Sequence, residues 1–333
     1  MEHVCVLGGG SFGTALAQLC ARQGQRVTQW MRNAQRAETI NRDHRNPDYL
    51  GEFALSWKIT ATTDLAAAVE RADWLIVAVP SQVVRGVFEQ LRPHLSAMPI
   101  VLACKGIETE SLMTMHEVIQ DVLGDEWAGR ILALSGPSFA REIMQEHPTA
   151  VVLACSDEAL SERIGRLLFC DHFRAYSSTD VMGVELGGAL KNIMAIAAGA
   201  ITGMGLGDNT RAALVTRGVA EITRLAVAKG ANPLTLAGLA GVGDVLLTCT
   251  GSLSRNRAVG EAMGRGLTLE AAVAEVKQVA EGVTTTQAAK ALADKLKVDA
   301  PIINAVYRVL FAGQPTRDAL LDLVRREPGR ELD

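Results

Sequence analysis

Read for hydrophobic and polar positions, the chain has two halves of different rhythm. In the first, short and nearly continuous apolar runs at residues 3–7, 26–31, 74–79, 100–103, 131–134, 150–154 and 173–176 are separated by segments of helical spacing. Continuous runs suit strands covered by helices on both faces, and their alternation with helices predicts a doubly wound, mainly parallel sheet. After residue 178 the character changes. Residues 183–200, 211–229, 284–296 and 301–311 are long, rich in alanine and leucine, and no clear strand interrupts them. The expected fold is therefore an α/β domain over residues 1–178 and an all-α domain over 179–333, with the boundary in the polar, turn-like cluster at 177–180.

The first junction of strand and helix carries the first chemical signal. The strand ends at Leu7, the stretch GGGSFGTAL follows, and Phe12, Ala15, Leu16, Leu19 and Cys20 then recur at helical spacing. A bare Gly-x-Gly-x-x-Gly pattern is weak, but after a strand and before a helix each glycine has a task. Gly8 serves a tight turn, Gly10 a close backbone approach to a pyrophosphate, and Gly13 close packing of helix on strand. The helix N-terminus then offers free N–H groups to the phosphates. The plain alternative is an ordinary strand-to-helix turn that happens to be glycine-rich. An NAD-specific fold of this type usually carries a carboxylate at the end of the second strand. Here that strand ends in Arg32, with Arg36 one helical turn on. A guanidinium matches a 2′-phosphate in a two-pronged fork, so NADPH is expected to be preferred over NADH, unless Arg32 is simply a solvated surface residue.

Composition narrows the partners. The 333 residues are 48% hydrophobic and 21% charged, with a net charge of −4 and only 4% aromatics. This is ordinary globular composition and gives no reason to expect nucleic-acid or anionic-membrane binding. No early stretch reads as a signal peptide and no run as a membrane span, the apolar stretch after Lys191 being short and preceded by a lysine. Six scattered cysteines make no C-x-x-C pair and six histidines show no ligand spacing. Metal chemistry is not indicated, and the thiols fit a reducing cytoplasm.

The second half holds the candidate chemistry. In GGALKNIMAIAA, Lys191 is the one charge within an apolar helix, with Gly187 and Gly188 a turn earlier on its face, where they would admit a substrate closely. Burial of an ammonium is costly unless it is paired and favours proton exchange, which suits a general acid/base; the alternative is a lysine that snorkels to the surface. Asp244, in an apolar stretch, is a candidate partner for Lys191 or a helix cap. Ser254, Arg255 and Asn256 offer a hydroxyl, a forked cation and an amide in succession, suited to a phosphate ester or simply to a solvated loop.

These segments occur in a recognisable order: GGGSFGTAL, VAVPS (77–81), ACKGIE (103–108), LSGPSFARE (134–142), GVELGGALKNIMAIAAG (183–199), LAGVGDVLLTCTGSLSRNR (239–257) and VAEG (279–282). Together they resemble the bacterial NAD(P)-dependent glycerol-3-phosphate dehydrogenases along essentially the whole chain. The resemblance implies a cytoplasmic oxidoreductase that reduces dihydroxyacetone phosphate to sn-glycerol 3-phosphate for phospholipid synthesis. It implies Lys191 as the proton-transfer residue and Lys105, Gly136, Ser138, Lys191, Asp244, Ser254, Arg255 and Asn256 as substrate contacts. Ser11, Phe12, Arg32, Tyr49, Lys105, Ala140, Arg255, Val279 and Glu281 become cofactor contacts beside the glycines. Relatives are often homodimers, although no interface is legible here. One departure is Gly9, where the family commonly has alanine, and a slightly looser turn is expected. A hydroxyacid or acyl-thioester dehydrogenase, or a non-catalytic NADPH sensor, are the competing readings; neither accounts for GGALKN and SRNR together.

Overall fold

The computed structural model describes residues 2–276 and 279–327. By backbone contacts the chain falls into two compact units, Met1–Lys105 with Met115–Val181, and Gly106–Thr114 with Met182–Asp333.

The first unit is built on an eight-stranded sheet: β1 (His3–Leu7), β2 (Arg26–Trp30), β3 (Ile59–Thr62), β4 (Trp74–Val77), β5 (Ile100–Leu102), β6 (Ile131–Ser135), β7 (Thr149–Ala154) and β8 (Phe173–Ser178). Their spatial order is β3-β2-β1-β4-β5-β6-β7-β8, and all neighbours are parallel except β6 and β7. The chain winds from β1 outward through β2 to β3 and then crosses back to β4. This leaves a switch point at the carboxyl ends of β1 and β4, where open α/β sheets bind ligands. The central strands β4, β5 and β6 are buried throughout, as their continuous apolar runs require, whereas the edge strand β3 alternates and the edge strand β8 is mostly exposed or half-buried after Phe173. Strand β3 was not foreseen: Ile59-Thr-Ala-Thr62 is a short alternating edge whose polar positions resemble a loop.

Among its described residues the second unit is helical, with one isolated bridge between Ile107 and Thr114. Its central helix, Val181–Gly203, crosses Arg255–Gly264 through reciprocal glycines. A Cβ at Gly199 or Gly203 would collide with the carbonyl of Arg257 or Glu261, and one at Gly260 or Gly264 with that of Ile196 or Ala200. Two small-xxx-small faces thus let the two backbones touch.

The expectation that no run reaches membrane-span length is corrected here. Val181–Gly203 is 23 residues long and apolar enough to span, because the helix begins well before Lys191; 89% of its most apolar window is buried within the structure, as in a core helix. The stretch Pro233–Thr250 also passes by length and composition, with 39% of its window buried.

Candidate active site

In the first unit the glycine turn connects β1 to the helix Ser11–Arg22. Gly8 has a φ of +131°, and a Cβ there would meet the Ala78 carbonyl at the end of β4. A Cβ on Gly13 would strike the Gly8 carbonyl, so that glycine allows the helix to pack against the turn. Gly10 differs: nothing lies within 4 Å of a Cβ built on it. It is also the N-cap of the helix and makes no side-chain cap bond. Open space beside uncapped helical N–H groups fits a pyrophosphate, whose charge meets the free donors and positive end of the helix. Ser11 and Phe12 begin this helix and are half-buried. The looser turn expected from Gly9 meets a counterweight, because Met31 fills the space where an alanine methyl would sit, its Cβ and Cε both 2.9 Å away.

Arg32 is exposed just beyond β2 and has no carboxylate partner among the described residues. Arg36 is engaged: its guanidinium lies 4.8 Å above the Tyr49 ring and donates to Asp48 from Nε at 2.9 Å. Asn33, between the two arginines, accepts the Arg36 N–H and so caps the helix Ala34–Asp43. Lys105, after β5, places its ammonium 5.9 Å from the Phe12 ring centroid. After β6, Gly136 adopts a φ of +140°, and a Cβ there would sit 2.9 Å from Val151 Cα. Ser138 Oγ donates to the Gly136 carbonyl at 2.9 Å, and Ala140 opens the short helix Ala140–Met144. A polar cavity of about 640 Å³ lies instead at the amino ends of β1, β4, β5 and β6, lined among others by Glu2, Asp73, Arg130 and Asp157, and holds none of these residues.

In the second unit Lys191 Nζ donates to Asp244 Oδ1. Lys191 is 7% exposed and Asp244 fully buried, so the lysine does not snorkel. Burying both charges is tolerable because each compensates the other. Gly187 makes the pair possible, but by a different route from the one expected: a Cβ there would collide with the Ala240 carbonyl, so the glycine admits protein backbone rather than substrate. Ala240 belongs to a wide π-type turn, Leu239–Gly243, that leads directly into the helix Asp244–Thr250. Thr248 Oγ1 donates to the Asp244 carbonyl at 2.6 Å, a contact that sequence reasoning does not anticipate. Burial pushes the neighbouring Cys249 thiol up to about 12, which keeps it neutral beside the pair.

Ser254 is the N-cap of Arg255–Gly264, accepting the Arg257 N–H at 3.2 Å, so it is not part of a solvated loop. Arg255 is exposed at this helix N-terminus, a position that combines a cation with free N–H groups. Asn256 is 9% exposed; its Nδ2 donates to Asn192 Oδ1 at 3.0 Å and its Oδ1 accepts the Gly282 N–H at 2.9 Å. It therefore joins the residue after Lys191 to the start of the helix Glu281–Leu296, whose first residue is Glu281. Val279, two residues earlier, is 58% exposed.

Comparison with known proteins follows this division. The family models for the N-terminus and the C-terminus of NAD-dependent glycerol-3-phosphate dehydrogenase match residues 3–161 and 180–321. A glycerol-3-phosphate dehydrogenase [NAD(P)+] of Oleidesulfovibrio alaskensis is 51% identical over 97% of this chain and 98% of its own. One of Myxococcus xanthus is 47% identical over 98% of both. The crystal structure of glycerol-3-phosphate dehydrogenase from Coxiella burnetii superposes with a TM-score of 0.93 at 36% identity, covering 98% of this chain and 99% of that one.

Proposed function

The chain belongs to the NAD-dependent glycerol-3-phosphate dehydrogenase family, and we propose that it interconverts dihydroxyacetone phosphate and sn-glycerol 3-phosphate with Lys191 as the proton-transfer residue. The observation that carries this reading is the buried Lys191–Asp244 pair, one ammonium held in a fixed place inside an apolar helical core. When bound, the nicotinamide supplies or receives the hydride. In the reducing direction Lys191 stabilises the negative charge that grows on the carbonyl oxygen and gives it a proton, an interaction stronger in the transition state than in the ground state. Asp244 keeps the ammonium in place, and Thr248 braces the backbone of Asp244.

Ser254, Arg255 and Asn256 hold the phosphate ester, supported by the exposed arginine at a helix N-terminus. Binding that non-reacting end orients the carbonyl for transfer. Among first-unit residues, Lys105, Gly136 and Ser138 keep their assignment to the substrate. Gly8, Gly10, Ser11, Phe12, Gly13, Arg32, Tyr49 and Ala140 keep theirs to the cofactor, as do Val279 and Glu281 in the second unit. NADPH is the preferred cofactor on the strength of Arg32. The reading places the enzyme in the cytoplasm, with residues 1–178 and 179–333 as its cofactor and catalytic domains; a homodimer is what the resemblance to relatives suggests, with no interface legible in the chain.

The test is cofactor oxidation followed by absorbance, with dihydroxyacetone phosphate and with unphosphorylated dihydroxyacetone. Turnover that depends on the phosphate is expected with NADPH and, more weakly, NADH. Its absence with both cofactors would reject the proposed substrate.

A further inference from the structure

Behind the glycine turn lies a buried polar network to which the reaction assigns nothing. Gln29 Nε2 donates to the Gly8 carbonyl at 2.9 Å and to Thr14 Oγ1 at 3.2 Å. Asn46 Nδ2 donates to the Gly9 carbonyl at 3.0 Å and to the same Thr14 Oγ1 at 2.8 Å. All three side chains are fully buried. Because each amide faces a carbonyl oxygen, its orientation is fixed, and Gln29 Oε1 and Asn46 Oδ1 have no hydrogen-bond partner among the described residues. An unpaired buried acceptor is costly, and here two are tolerated in order to hold two successive carbonyls of one turn.

Gln29 lies on β2, in the sheet itself. Asn46 does not: it stands in the segment after the helix Ala34–Asp43, and its own carbonyl accepts the Tyr49 N–H at 3.1 Å. Two residues on from Asn46, Asp48 holds the Arg36 guanidinium over the Tyr49 ring. One buried amide thus ties the turn that would meet the pyrophosphate to the loop that would meet the adenosine end. A dinucleotide must engage both at once, and fixing their spacing beforehand removes the ordering cost from binding.

We propose that Asn46 is a positioning residue for the cofactor, which holds the Tyr49 loop in register with the glycine turn. The proposal rests on the reading that this turn and Tyr49 bind the two ends of the dinucleotide. Asn46→Ala removes the amide, and Asn46→Leu removes it while keeping the volume. In the folded variants NADPH affinity is expected to fall about 10- to 100-fold, with kcat at saturating NADPH little changed. Inorganic pyrophosphate and adenosine 2′-monophosphate, which each meet one end only, lose less than about threefold, because neither needs the register. In the unaltered protein, pyrophosphate is expected to slow hydrogen exchange at the Tyr49 amide, which donates to the Asn46 carbonyl, a transmission that the variants lose. NADPH affinity kept within about twofold, or fragments weakened as much as NADPH, would overturn the proposal. So would unchanged exchange in the unaltered protein, an arm that decides even if neither variant folds. Tyr49→Ala separates the two levels. If it leaves NADPH affinity intact, the underlying assignment of Tyr49 is wrong; if it weakens NADPH while the folded Asn46 variants bind normally, only the positioning role fails.

Discussion

Lys191 and Asp244, 53 residues apart in the chain, form an ion pair inside the helical unit, with the aspartate fully buried. Removing one partner leaves the other charged and desolvated. Asp244→Ala is therefore expected to cost about 3–5 kcal/mol of stability, whereas the double change Lys191→Met with Asp244→Leu restores most of it. Urea unfolding of the three proteins checks this; equal losses in the single and double variants would mean that the pair is not mutually compensating.

Lys191→Ala is expected to lower kcat about 100-fold or more while NADPH binding is largely kept, because a positioned acid acts on the transition state and not on the cofactor. Steady-state kinetics beside a fluorescence titration of NADPH separate the two effects. Near-normal turnover would remove Lys191 from the proton path.

Arg32 stands exposed beyond β2 and makes no carboxylate pair among the described residues. Arg32→Ala is expected to weaken NADPH by about tenfold or more and NADH only slightly, since a charge-assisted bond to phosphate is lost in one case alone. Dissociation constants for both cofactors are the measurement, and parallel losses would assign Arg32 a purely structural part.

The glycine crossing predicts an unusually sensitive position. A methyl at Gly260 would overlap the Ile196 carbonyl, which is helix backbone and has no rotamer by which to yield. Gly260→Ala is expected to destabilise the protein by about 3 kcal/mol, as overpacking a rigid contact does. Gly86→Ala, in the helix Val84–Leu91 and with open space around its Cβ, is the control and is expected to be neutral or mildly stabilising.

Glu221 is fully buried and accepts the Ile302 and Ile303 N–H groups, each at 2.8 Å, at the start of the helix Pro301–Phe311. Burial raises its carboxyl from 4.5 to about 7, against the opposing pull of those two amides and of Arg224; Asp299 adds to the rise. Between these values the folded state holds a proton that the unfolded state has released, so stability falls as pH rises from about 4.5 to 7. Relative to Glu221→Gln, which does not titrate, the protein is expected to lose about 3 kcal/mol across that window. Melting temperatures of both proteins at several pH values test it; parallel curves would show that Glu221 does not titrate there.

Much of this was legible in the chain. Seven of the eight strands were visible as apolar runs, and the long helices as alanine- and leucine-rich stretches, because burial on both faces or on one writes its own period into the sequence. The turn at Gly8, Gly10 and Gly13 was legible for the same local reason: its neighbours are a strand and a helix adjacent in the chain. Strand β3 was hidden by its alternation, which an edge permits. Asn46 was hidden more deeply, in the polar run Asn41-Arg-Asp-His-Arg-Asn46 that reads as solvated surface.

The sequence by itself determined the alternation of strands and helices in the first half, the all-helical second half, the glycine turn, the arginine after the second strand, and a lone lysine in an apolar helix. Tertiary structure decided what each of these touches. Gly187 admits the backbone of Ala240 and not a ligand, Asp244 pairs with Lys191 and does not cap by itself, and Asn46 reaches back 37 residues to hold Gly9. The reason is physical: periodicity records how a residue faces its own element, whereas a buried polar group finds its partner only when packing brings distant backbone close enough to satisfy it.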